Sequence, residues 1–296
     1  MSALALKLSP AIPGGLMGHI RFLITALLGL SLGLASGTPV YAWGPTAHRL
    51  ANRWAIETLP AEMRGFFEAN RQFLIDHAND PDISMAKDPF ERKHHYIYLD
   101  RYGIFPFISL PHSFKAATDQ FGKSRVNRDG LLPWQIGEYS LRLTNAFRAQ
   151  NWEEAKLDAA ILAHYVADAT DPLHVTQNYD GQLTAQAGLA DRFEIRLIDR
   201  FSNFLILSPQ DAIKIEDPTE FAFQITIESY TWVDRIVFED RRSLEGLPSY
   251  NEDYFSRFYS RVGSTAMQQI NAAAHDAGSY WYTAWLNAGR PALPGR

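Results

Sequence analysis

Three side chains able to hold a metal ion sit close together in the run ILAHYVADATDPLHVTQN: His164, Asp168 and His174. His164 and Asp168 are four residues apart, so on a helix they project from one face, a turn apart. Asp171-Pro172 disfavours further helix, and a turned chain would swing His174 back toward the same pocket. Imidazole and carboxylate are the donors of hydrolytic zinc sites, and sites with two or more metals need such clusters. The plain alternative is a helix carrying one buried, hydrogen-bonded His and a solvated Asp.

The elements that must position these residues read as helices. His48 to Leu59 and Ala61 to His77 are amphipathic, with Pro60 suited to a helix start. Leu132 to Gln150 and Trp152 to Thr170 form an antiparallel pair joined at Asn151. Leu189 to Leu205, Thr219 to Arg241 and Tyr254 to Asn287 supply further helices, the last expected to break near Gly263 or Gly278. Trp232, Tyr254, Phe258, Trp281 and Trp285 fall at helical spacings and read as core, although Trp-rich amphipathic segments also suit transient membrane-surface contact. Tyr96-Ile97-Tyr98-Leu99 is a short, isolated β-rich stretch. The fold class is all-α. Between the second helix and the Leu132 helix, residues 79–130 form a polar, Pro-containing connection long enough to suggest a functional loop.

Composition bounds the partners. Arg21, the apolar run Phe22 to Leu34 and the small-x-small end Val40-Tyr41-Ala42 have the form of a secretory signal peptide over residues 1–42. The apolar run is too short for a membrane span of about 20 residues. The expected mature domain is 43–296, secreted or periplasmic, with Trp43 as its first residue. Loss of Lys7 and Arg21, with no acid lost, moves the formal charge from −5 to −7. Such a chain is not built to hold nucleic acid by broad phosphate neutralisation. It has no cysteine, which excludes disulfides and thiolate zinc sites and leaves His, Asp and Glu as ligands. No stable protein partner is expected.

Further residues join the cluster in chain order. AWGPTAHRLAN gives Trp43-Gly44 and His48; HANDPD gives Asp80 and Asp82; KHHYIYLD gives His95; GLADRFE ends in Glu194. This order and spacing resemble the zinc-dependent phospholipase C family and its relatives, the single-strand-specific zinc nucleases. The resemblance covers about residues 43 to 200 and is strongest at the Trp-Gly motif and at HYVADATDPLH. It implies an all-α fold enclosing three zinc ions at the bottom of a cleft, of which this chain is expected to hold two or three Zn2+. One metal would take the amino group and carbonyl of Trp43 with His48 and Asp168. A second would take His95, His164, Asp168 as the bridging carboxylate, and either Asp80 or Asp82, which is also the candidate general base. The third would take His174 and a His-x3-Glu pair, whose acid is Glu194. Here the chain departs from the pattern, because the His position is Ala190. Methyl cannot ligate zinc, so the third site is expected to be weakened, empty, or closed by water or Asp191.

The chemistry expected of two metals sharing Asp168 is hydrolysis of a phosphodiester, with a bridging hydroxide attacking phosphorus in line. A phospholipid head group is the favoured substrate. The nuclease alternative is disfavoured because the place of the base-holding Asp is Tyr98, although Tyr96 keeps the neighbouring aromatic. The remaining alternative is a degenerate metal-binding protein, slowed or silenced by Ala190. His77, His94, His112 and His275 read as surface or hydrogen-bonded histidines, Asp100 and Asp171 as partners orienting ligand imidazoles or as loop and helix-end acids. Asn178, Tyr179 and Gly181 read as cleft lining or an ordinary turn.

Overall fold

The computed structural model describes residues 43–295. The expected leader and its cleavage site before Trp43 lie outside the described residues. Helix Trp152–Thr170 runs through the middle of the molecule and packs on helices Leu132–Arg148, Glu252–Asn287, Pro218–Tyr230 and Pro45–Ala55. Its sequence explains the position. Ala155, Ala159, Ala160, Ala163, Ala167 and Ala169 are buried, and small side chains let neighbouring helices approach from several sides. The Asn151 side chain accepts the Glu154 N–H, and Glu153 and Glu154 favour the positive end of the helix. Pro172 ends it, leaving Asp171 extended at φ −82°, ψ 118°.

The stretch beyond joins three apolar clusters. Val166 packs with Phe67, Phe147 and Trp281. Ala167 and Leu173 pack with Trp43, Phe193 and Phe258. Val175 packs with Ile97, Phe107 and Phe223. The run His164–His174 therefore lies where the three cores meet, and its backbone is held from every side. Among the described residues there is no strand, so the all-α expectation holds. No described helix is long and apolar enough to cross a membrane.

Several elements differ from their sequence pattern. The C-terminal helix Glu252–Asn287 runs unbroken for 36 residues through Gly263 and Gly278. A Gly in a helix costs about 1 kcal/mol relative to Ala, and burial along this helix offsets it. Gly278 is a close-approach residue: a Cβ there would lie 1.9 Å from Thr58 Oγ1. The expected helix Thr219 to Arg241 is two, Pro218–Tyr230 and Val233–Leu244. At their junction the Thr231 hydroxyl donates to the Glu228 carbonyl (2.6 Å), competing with the helical ladder. Leu189 to Leu205 contains a wide π-helical turn, Asp191–Leu197, then Ile198–Phe201. The long connection is not bare loop; it carries the short helices Asp80–Met85, Phe114–Phe121 and Lys123–Asp129. Trp281 and Trp285 are buried in the core, so the membrane-contact option fails for them.

Candidate metal centre

Asp168 lies at the focus of the site. Its carboxylate is fully buried, with Oδ1 3.4 Å from His48 Nε2 and Oδ2 3.0 Å from His95 Nδ1 and 3.4 Å from His164 Nε2. Asp82 Oδ1 stands 3.8 Å from both His95 Nδ1 and His164 Nε2. Two overlapping groups result, His48–His164–Asp168 and Asp82–His95–His164, each with donor atoms within 4.8 Å of one another. A third group, Asp171–His174–Glu194, is equally buried. Asp82 enters the cluster and Asp80 does not: Asp80 pairs with His77 Nδ1 at 2.6 Å on a part-exposed surface. Both follow from Asp80–Met85 being helical, because residues two apart point to opposite sides.

The imidazoles are fixed by backbone. His164 Nδ1–H donates to the Ala78 carbonyl (2.8 Å), which places a lone pair on Nε2 toward Asp82 and Asp168. His174 Nδ1–H donates to the His95 carbonyl (2.5 Å), while the Ile97 N–H donates to the His174 carbonyl (3.0 Å). The expected β-rich stretch thus forms an extended clasp across residue 174 instead of a strand. Asp100 accepts from the Thr176 hydroxyl (2.7 Å) and the Gln177 N–H (3.0 Å), so it anchors the chain beyond His174 and touches no ligand imidazole. The Gly44 N–H donates to the Glu194 carbonyl (3.2 Å), setting residue 43 against the element that carries Glu194, and the Trp43 ring lies 5.4 Å from that of Phe193.

Electrostatics follow from burial. Burial, then neighbouring imidazoles, holds His48 and His95 well below the usual histidine range; burial brings His164 down to about 3. Burial pushes Asp82 up to about 7 and Asp171 up to about 8, and drives Asp168 and Glu194 well above the carboxylate range. Neutral imidazoles are the ligand form, and crowded buried carboxylates favour a cation among them. Both Asp82 oxygens, Asp168 Oδ1 and both Glu194 oxygens lack a hydrogen-bond partner among the described residues. Buried polar atoms in such numbers are costly unless something binds them, so the residues fit a metal cluster.

Sequence reasoning missed two participants. Glu91 lies 3.7 Å from His95 Nε2, too far for a hydrogen bond but close enough to pair with it electrostatically, and accepts from the Tyr165 hydroxyl. Its only signal was standing four residues before His95. Asp171 stands among the third group's donors, a place open to it because Pro172 turns the chain there. Asp191 is excluded: its side chain is 57% exposed and 3.8 Å from Arg196. His94 pairs with Glu91, His112 with Glu220, and His275 with the Gln210 carbonyl, all outside the three groups.

A small pocket opens beside the centre, lined by Arg92, His95, Tyr96, Tyr98, His174 and Tyr179 among others. Tyr96 and Tyr98 stack at 4.4 Å and Tyr98 stacks on Tyr179 at 5.8 Å. Asn178 instead braces the adjoining turn through Thr184 and Leu183, and Gly181 supplies its positive φ of 70°.

No family model matches the chain, and no curated protein is significantly similar to it in sequence. Solved structures are similar in fold. The class defined here is an all-α fold with buried His and carboxylate groups that could hold metal ions, and the alpha toxin from Clostridium absonum is similar to it in fold. The TM-score is 0.51 at 14% identity, covering 84% of this chain and 65% of the toxin. An alpha-toxin of Clostridium perfringens from an avian strain aligns at TM-score 0.47 and 14% identity, over 83% of this chain and 63% of its own. At such identity what is shared is the fold. It is the fold that the motif resemblance to the zinc-dependent phospholipase C superfamily implies.

Proposed function

We propose that the protein is an exported, metal-dependent phosphodiester hydrolase acting on phospholipid head groups. The observation that carries this reading is the pair of buried ligand groups that overlap at His164 and face the Asp168 carboxylate, beside a tyrosine-lined pocket. Trp43, through its carbonyl and its amino group once freed, would hold one zinc with His48 and Asp168; Asp82, His95, His164 and Asp168 would hold the second. Bound there, the metals would supply Lewis acidity and neutralise phosphate charge. Asp168 presents one oxygen to each group and fixes their spacing. Asp82 is the remaining candidate for general base, since Asp80 lies outside the cluster, paired with His77. The Tyr96, Tyr98 and Tyr179 rings exclude water from one wall of the pocket, and Arg92 offers that wall a cation.

Two observations favour lipid over nucleic acid. Tyr98 stands where the nucleases carry a base-holding Asp. Ile104 and Ile108 are 90% and 91% exposed on one loop, with Phe105 between them, which suits contact with an apolar interface. The test is hydrolysis of phosphatidylcholine vesicles and of single-stranded DNA by zinc-loaded chain beginning at Trp43. Release of phosphorylated head group, abolished by chelation, is expected. Cleavage of DNA alone would replace the lipid reading with the nuclease one, and no cleavage of any diester by zinc-loaded protein would leave a non-catalytic metal binder. Full activity in a chain carrying extra residues before Trp43 would remove the amino-group ligand.

A further inference from the structure

The third group departs from the pattern that the motif implies, and another carboxylate stands beside its remaining donors. Ala190 has no donor atom. Asp191, the adjacent acid, points outward toward Arg196. Asp171 instead arrives from a different element. It ends helix Trp152–Thr170, and its Oδ1 accepts the Leu173 N–H (2.9 Å), which caps the short turn Pro172–Val175 and orients the carboxylate. Its other oxygen, Oδ2, has no hydrogen-bond partner among the described residues, in a side chain with no exposure at all. Glu194 is 1% exposed and both its carboxylate oxygens are likewise without a partner. One donor atom from each, with one from His174, lies within 4.8 Å of the others.

Neither carboxylate forms an ion pair with a Lys or Arg among the described residues. Arg192, the buried guanidinium nearest in sequence to Glu194, is committed to Asp240 at 2.9 Å. Two carboxylates brought together in a dry interior repel each other and lose hydration, so a positive charge must come from outside or a proton must be shared. His174 Nδ1–H donates to the His95 carbonyl (2.5 Å), so Nε2 is the ring nitrogen that a metal would take. All three donors are held by backbone from separate segments: Asp171 by its cap, His174 by the clasp to His95 and Ile97, and Glu194 by Gly44.

We infer that Asp171, and no residue at position 190, is the third protein ligand of a divalent-cation site completed by His174 and Glu194. The inference rests on the metal-dependent reading above and deepens it. The donor set is one imidazole and two carboxylates, against the two imidazoles and one carboxylate of the motif's pattern. It carries one more negative charge and is harder in character.

Equilibrium dialysis of the folded, mature chain against buffered free zinc tests this by stoichiometry rather than turnover. Wild type is expected to bind three equivalents and Asp171→Asn two, with Glu194→Gln also binding two. Asn keeps the oxygen that caps Leu173, so circular dichroism should show an unchanged helix content; Glu194→Gln, which leaves that cap untouched, gives an independent reading should Asp171→Asn misfold. Three equivalents in Asp171→Asn would overturn the assignment. Two equivalents in wild type as well as in both variants would also overturn it, in favour of a shared proton, while sparing the paired centre. No zinc in wild type would overturn this site and the metal-dependent reading together.

Discussion

The paired centre and the Asp171 group are built from one helix end by opposite means. In the paired centre the Asp168 carboxylate faces His48, His95 and His164, and these three imidazoles outnumber the two carboxylates, Asp82 and Asp168. In the Asp171 group two carboxylates face one imidazole. The first arrangement is economical in charge and rich in nitrogen, which suits tightly held zinc; the second is charge-rich and oxygen-rich, which suits a looser, exchangeable ion. The difference teaches that a ligand position lost from one element, Ala190, can have a carboxylate brought beside it by another, the end of the helix Trp152–Thr170.

The comparison can be broken most severely at Asp168. Asp168→Asn should remove both paired metals and lower hydrolysis on the order of a thousandfold or more, the scale at which losing one preorganised charge is felt in an active site. Metal analysis alongside the assay checks it, and retention of both metals would dissolve the idea of a shared carboxylate. A smaller effect is expected at Glu91, which pairs electrostatically with His95. Glu91→Gln should weaken zinc affinity about 10- to 100-fold without changing the number of sites, as measured by competition with a chromogenic chelator. Graded chelation of wild type should then separate the two regions: one equivalent leaves before the other two, and it should be the one missing from Asp171→Asn. Simultaneous loss of all three would make the two regions a single unit.

The smallest effect concerns a buried acid outside both regions. Burial, with Glu228 adding to it, pushes Asp276 up to about 8 from 3.8. The unfolded chain releases this proton at lower pH than the folded one, so Asp276 costs stability increasingly as pH rises from about 4 to about 8. Asp276→Asn should raise the unfolding midpoint by several degrees at pH 8, with the gain vanishing near pH 3. Zinc should leave that gain unchanged, whereas it should stabilise the wild-type site carboxylates. A zinc-dependent gain would place Asp276 in the cluster's electrostatic reach.

The sequence made the paired centre legible because His164 and Asp168 obey helical spacing and because Pro172 marks the turn. Its fold class was legible for the same reason, since periodicity of 3.6 is a local signal. What stayed hidden depended on contacts between distant segments. Asp80 and Asp82 were indistinguishable until the helix Asp80–Met85 gave them opposite directions. Gly263 and Gly278 look like breaks in isolation, yet the long helix continues because the packing around it outweighs its local cost. Asp171 read as a helix-end acid, since nothing local says that Glu194 arrives beside it by way of a wide turn.

The reciprocal clasp between His95, Ile97 and His174 joins segments 79 residues apart in the chain, counted from His95 to His174. Contacts that close so long a loop form late in folding, after local helices have settled. The helix carrying His164 and Asp168 can therefore exist before the pocket does. The ligand groups are complete only once that loop has closed, and they depend on a contact that no local segment can make alone.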